Sequence, residues 1–320
     1  MISLPDNALR GSYPPLVTPF LDQQIDRPSF SRLVDSVIKG GSHGLVVNGT
    51  TGEPTTLSTS ERTDLVDLAV RSADGRVPVI AATGGQSYSE SLALLKGAEQ
   101  SGAAAAMIVT PYFIRPPVRG LIDYYVSLAA ATRLPILIYH IPGRTAVSLP
   151  PSAIAEISAK AENLVGVKHA SQDLSFVSET LLTLGPDFRV FVGLEELSLP
   201  MMALGASGLM NAAGNVDPGR IASLARAALE GRIFEARRLH YELFELNQAI
   251  FWDTNPIPIK YMLRKLGLIR SNEHRPPMAS ATADLEARLD EMLNKLRIRN
   301  EGLGIAADTA NAKAPSARHD

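Results

Sequence analysis

Of the eight lysines in the chain, only Lys168 closes an apolar, strand-like run, Leu164-Val-Gly-Val-Lys168. An amine withdrawn from water at such a position is favoured in its uncharged form, and an uncharged amine adds to carbonyl carbon. The plain alternative is a surface lysine ending a strand. Asn48-Gly-Thr-Thr-Gly-Glu53 follows another apolar run. The hydroxyls of Thr50 and Thr51, with exposed amides, can bind a carboxylate. Gly49 and Gly52 are expected to let the backbone turn tightly against a ligand. The Gly-Lys-Ser/Thr ending of a phosphate-binding loop is missing. Tyr139 follows Leu-Pro-Ile-Leu-Ile, where a phenol can shuttle a proton, and Arg144 lies in the adjoining loop with a planar fork suited to a carboxylate. Taken alone, each of these two reads more simply as a rim aromatic or a loop ion pair.

Other residues carry weaker signals. The six histidines (43, 140, 169, 240, 274, 319) form no metal-ligand spacing. His140 and His169 each follow a candidate reactive residue and are candidates for the pocket wall. Strand alternation would turn His140 to the face opposite Tyr139. Glu195-Glu196 follows a late apolar run as a pocket candidate, or as first-turn carboxylates favoured by a helix dipole. Lys260 lies within a helical pattern and reads as structural.

The elements that would position these residues are legible as an alternation. Short apolar runs at 12–20, 44–49, 77–83, 104–111, 134–142, 164–171, 189–193 and 207–214 predict eight strands buried on both faces, as in a parallel sheet. Helical signals lie between them: Ser58-Thr-Ser-Glu61 and Ser87-Tyr-Ser-Glu90 as capping sequences, and Pro150-Pro151 opening another helix. Eight strand–helix units predict a (β/α)8 TIM barrel over residues 10–230, with reactive groups at the C-terminal ends of its strands. Residues 231–298 predict a C-terminal helical extension of about three helices, at Gly231–Gln248, Pro256–Leu266 and Ala279–Leu296. The tail at 301–320 is small, polar and unpatterned, and is expected to be disordered.

Composition narrows the classes. A net charge of −2 offers no basic field for nucleic acid. The absence of cysteine excludes disulfides, thiolate nucleophiles and iron–sulfur clusters, and fits the cytoplasm. No apolar run is long enough to span a bilayer, and no basic stretch leads into an apolar run at the N-terminus, so neither a membrane partner nor a signal peptide is expected.

Together the segments Gly49–Glu53 (GTTGE), Val109–Tyr112 (VTPY), Tyr139–Thr145 (YHIPGRT), Gly166–Lys168 (GVK) and Asn255–Lys260 (NPIPIK) resemble the dihydrodipicolinate synthase / N-acetylneuraminate lyase family. The resemblance covers residues 10–298 in order. It implies a metal-independent lyase of the class I aldolase type that needs no cofactor. Lys168 would form an imine with pyruvate or a related 2-oxo acid, and an aldehyde is a candidate second substrate. It further implies that Thr50 and Thr51 hold the carboxylate and that Tyr139 and Thr50 relay protons. Arg144 would hold the second substrate's carboxylate. Gly49, Tyr112, Gly193 and Asn211 would be further substrate-binding positions, and the assembly a homotetramer built from dimers.

The chain departs from the synthase pattern in four places. Phe113 stands where a second tyrosine usually follows Tyr112, which removes a hydroxyl that would cross a dimer interface to the relay. His140 and His169 replace an asparagine and an acidic residue, and Gly193-Leu-Glu-Glu replaces Gly-Asp-Asp. The first expectation is 4-hydroxy-tetrahydrodipicolinate synthase chemistry, slowed by Phe113. The second is a catabolic aldolase, dehydratase or deaminase acting on 4-hydroxy-2-oxoglutarate, a deoxy sugar acid or an imine acid from hydroxyproline. A non-catalytic metabolite sensor would need a dead nucleophile, and Lys168 argues against it.

Overall fold

The computed structural model describes residue 2 and residues 4–296. The tail expected to be disordered, 301–320, lies outside the described residues. Seven of the eight apolar runs contain a strand, and the first, 12–20, meets its strand only at Ser12: β1 (Gly11–Ser12), β2 (Leu45–Val47), β3 (Val79–Ala82), β4 (Ala105–Val109), β5 (Ile136–His140), β6 (Leu164–His169), β7 (Arg189–Val192) and β8 (Gly208–Leu209). They pair in parallel in chain order, and β8 returns to β1. The ring closes where Pro15 bridges Val46, with Leu16 N donating to Val46 O at 2.9 Å and Val46 N to Pro14 O at 3.0 Å. Closure leaves no unpaired edge, so the strands can be short and apolar throughout. A small antiparallel hairpin, Phe20–Leu21 with Gln24–Ile25, follows β1.

The helices α1 (Arg27–Lys39), α2 (Thr59–Ala73), α3 (Tyr88–Gln100), α4 (Val118–Ala130), α5 (Pro151–Lys160), α6 (Leu174–Leu184), α7 (Ser198–Ala203) and α8 (Pro218–Leu229) alternate with the strands. Two apolar layers result. Outward-facing residues such as Leu45, Ile138 and Val167 pack under the helices, while Val46, Met107, Leu137 and Phe191 fill the barrel interior. Helix starts obey local chemistry. Ser58 and Glu61 form a reciprocal capping box on α2. Ser87 accepts from Glu90 N, but the Glu90 side chain turns away to Arg62.

The extension comprises α9 (Ile233–Glu242), α10 (Phe244–Ala249), α11 (Ile257–Lys265) and α12 (Ala283–Leu296). The helix expected over Gly231–Gln248 is therefore two, separated at Leu243. Helix α9 packs on α8, and α12 packs on α11 and α10. Arg270 forks onto both oxygens of Asp26, the α1 cap, at 2.7 and 2.8 Å, tying the extension to the first helix.

Candidate active site

The C-terminal ends of β5 and β6 place Tyr139 opposite Lys168. That pairing depends on an irregularity. Ile136 pairs with Leu164, and unbroken register would bring Lys168 opposite His140, on the outer face. Instead Leu137 pairs with Gly166, so β6 carries one extra residue, Val165. A one-residue slip exchanges the faces of a strand. The bulge therefore turns Lys168 inward beside Tyr139 and sends His169 outward beside His140. Lys168 is 4% exposed, its Nζ lies 4.3 Å from the centre of the Tyr139 ring, and among the described residues it has no hydrogen bond or ion pair. Gly193 is required next to it: a Cβ there would stand 2.9 Å from Lys168 Cε and 2.8 Å from the Ala170 methyl.

Tyr139 Oη and Thr50 Oγ1 share a hydrogen bond of 3.3 Å. Thr50 and Thr51 sit in a short 3-10 turn, Thr50–Gly52, directly after β2. Asn255 donates to Thr51 Oγ1 at 3.1 Å. The turn is not bent by its glycines. Gly49 has φ −68°, and the left-handed positions are the flanking Asn48 (φ 61°) and Glu53 (φ 54°). Asparagine tolerates that region. Glu53 is held in it by Lys260 Nζ at 2.5 Å and His274 Nδ1 at 3.0 Å, all three side chains buried. Burial holds the Lys260 ammonium down to about 8, with Glu53 opposing that shift. The helical pattern around Lys260 marks it as structural, and no local pattern points to Glu53 as its partner.

Two adjoining cavities open here, of about 540 Å3 and about 210 Å3. Thr50, Tyr139 and Arg144 line both, while Lys168, Gly193 and Glu195 line the smaller. Arg144 is exposed in the helical turn Pro142–Thr145, with no ion-pair partner among the described residues. Gly49 and Tyr112 line the larger cavity only, beside buried Arg62, whose Nη2 donates to Ala82 O and Gly84 O.

Other expected residues lie elsewhere. Asn211 is fully buried and lines neither cavity; its Nδ2 donates to Ser198 Oγ at 2.6 Å, while its Oδ1 has no partner among the described residues. Phe113, with φ 76°, is 85% exposed and lines neither cavity. His140 and His169 stack with Phe176 under the helices. His169 Nε2–H donates to Asp173 O, which leaves His169 Nδ1 to accept from His140 Nδ1–H at 3.1 Å. Burial, with the neighbouring His169, holds His140 down to about 4, and burial lowers His169 as well. Glu195 is the carboxylate lining the smaller cavity, whereas Glu53 and Glu90 line the larger. Among the described residues no group of three or more His, Asp or Glu is placed to hold a metal ion.

A strand-end lysine against a tyrosine–threonine pair at a barrel's C-terminal face is geometry for imine chemistry. The sequence profile of the Dihydrodipicolinate synthetase family matches residues 8–296. The chain belongs to that family. It is 45% identical over 287 residues to the 4-hydroxy-tetrahydrodipicolinate synthase of Thermus thermophilus, covering 89% of this chain and 96% of that one. The Persephonella marina synthase is 39% identical over 284 residues, 89% of this chain and 97% of that one. Among family structures, dihydrodipicolinate synthase from Aquifex aeolicus superposes with a TM-score of 0.89 at 37% identity, covering 90% of this chain and 98% of that one. The Acinetobacter baumannii enzyme complexed with pyruvate gives 0.88 at 33% identity, covering 91% of this chain and 100% of that one. As a member of the family, the chain is a lyase of the class I aldolase type on a TIM barrel with C-terminal helices.

Proposed function

We propose that the protein is a 4-hydroxy-tetrahydrodipicolinate synthase, which holds pyruvate as an imine on Lys168 and condenses it with aspartate semialdehyde. The observation that carries this reading is the unpartnered Lys168 amine over the ring of Tyr139, whose hydroxyl already meets Thr50. The Thr50–Thr51 turn receives the pyruvate carboxylate. The amine adds to the keto carbon and water leaves, giving a protonated imine that draws electrons from the neighbouring methyl carbon. That carbon loses a proton to become an enamine, which attacks the aldehyde. Tyr139 and Thr50 carry protons to and from the reacting oxygens. Arg144, free at the mouth of both cavities, pairs with the carboxylate of the second substrate.

The missing hydroxyl at Phe113 favours a second reading within the same chemistry, a catabolic enzyme of another 2-oxo acid. The exposed Phe113 and Ile114 side chains support assembly of copies through this loop, as in a dimer of dimers. No described helix is long and apolar enough to cross a membrane, and we place the enzyme in the cytoplasm. The deciding experiment is turnover with pyruvate and aspartate semialdehyde beside a panel of 2-oxo acids and aldehydes. The synthase reading requires the highest kcat/KM for aspartate semialdehyde, and a tenfold or greater preference for another substrate overturns it.

A further inference from the structure

Glu195 is a carboxylate that the reaction as described does not use. It lies in the 3-10 turn Glu195–Leu197 after β7 and is 2% exposed. Its two oxygens differ. Oε1 accepts from Ala212 N–H at 2.6 Å, whereas Oε2 is buried with no partner. The residue lines the same cavity of about 210 Å3 as Lys168. A buried carboxylate oxygen without a donor is costly, and side chains that retain one in a cavity tend to serve chemistry.

We propose that Glu195 is the acid–base group for imine formation, taking a proton from the Lys168 ammonium and returning it to the oxygen that departs as water. This rests on the reading of Lys168 as the imine-forming residue. An ammonium and a ketone become a protonated imine and water, so two of the three nitrogen-bound protons end on oxygen. The first passes to Glu195, leaving a free amine and a neutral acid. The amine nitrogen bonds to the keto carbon as the carbonyl π pair moves to oxygen. The second proton crosses from nitrogen to that oxygen through the Tyr139 hydroxyl, which is regenerated. Glu195 then protonates the hydroxyl, the carbon–oxygen bond breaks, and the carboxylate is restored.

The surroundings suit this exchange. Burial pushes the Glu195 carboxyl up to about 7, against opposing hydrogen bonds from Ala212 and other backbone groups and the charge of Lys168. Lys168, on β6, is the charge that acts on it, and Arg144 lines the same cavity. The other elements packed on the turn present neutral groups: Ser198 at the start of α7, Asn247 from α10, and Asn211 and Ala212 after β8. An acid poised near neutrality can both accept and return a proton at working pH.

The test is the rate of reductive trapping of pyruvate on the enzyme as a function of pH. Glu195→Gln preserves the acceptor for Ala212 N–H and removes the proton. It should slow trapping by roughly 10²–10⁴-fold and abolish an inflection near neutrality, while Glu195→Asp retains an inflection. A Gln variant that traps at the wild-type rate with the wild-type profile overturns the proposal, as does an Asp variant without an inflection. A wild-type profile lacking an inflection near neutrality overturns it without any variant. If wild-type enzyme forms no adduct at all, the Lys168 reading itself fails.

Discussion

Lys260 Nζ meets Glu53 Oε1 at 2.5 Å across 207 residues of sequence, with both side chains buried. Through this contact α11 grips the end of the Thr50–Thr51 turn and stabilises a left-handed glutamate. Lys260→Met leaves the Glu53 carboxylate buried with only His274, and should cost about 3–5 kcal/mol of stability. The double variant Glu53→Gln/Lys260→Met should recover most of that loss. Chemical denaturation of the three proteins checks the pair, and a single variant as stable as wild type contradicts it.

The His140–His169 pair predicts an acid limit. In the folded protein His140 is held down to about 4, against 6.5 for an ordinary histidine. Between those values the unfolded chain binds the proton and the folded chain does not, so stability falls as pH drops through that window. The contribution is at most about 3 kcal/mol. His140→Leu should flatten this part of the stability–pH curve. Equal slopes in wild type and variant would remove the histidine pair as the cause.

If copies assemble through the exposed Phe113 loop as proposed, Phe113→Tyr should supply a hydroxyl to a neighbouring active site. The expected gain in kcat with pyruvate and aspartate semialdehyde is about tenfold or more, with pyruvate trapping unchanged. No gain means that the Tyr139–Thr50 pair suffices by itself.

Arg144→Ala should lower kcat/KM for the second substrate by roughly 10- to 150-fold, the value of about 1.5–3 kcal/mol for a charge-assisted bond. Trapping of pyruvate should persist near the wild-type rate. Parallel loss of trapping and turnover would show that Arg144 serves the first substrate.

The barrel was legible because parallel strands covered on both faces leave continuous apolar runs. Seven of the runs contain their strand, while the first strand, Gly11–Ser12, starts just ahead of its run. Strand alternation also foretold that His140 would face away from Tyr139. The Val165 bulge was not legible. Its one local mark is Gly166 inside the run, a residue type that accompanies bulges and close backbone approach but does not fix the register, yet the bulge decides which face Lys168 occupies. The Gly49–Glu53 loop was recognised for its residue types, but its left-handed positions fall on Asn48 and Glu53 rather than on the glycines. Asn211 and Glu195 exchange emphasis. The first bonds Ser198 away from the cavity, while the second, which reads as an ordinary first-turn acid, has an unpartnered oxygen beside it. Burial of a polar side chain depends on elements distant in sequence, as with Lys260 and Glu53, so local pattern cannot report it.

Imine chemistry at this site stands or falls with Lys168. The most direct measurement is borohydride reduction in the presence of pyruvate, followed by peptide mass mapping of wild type and Lys168→Ala. The expected result is one stable adduct on the peptide containing Lys168, and neither adduct nor turnover in the variant. An adduct on another lysine, or a Lys168→Ala enzyme with normal turnover, would contradict it.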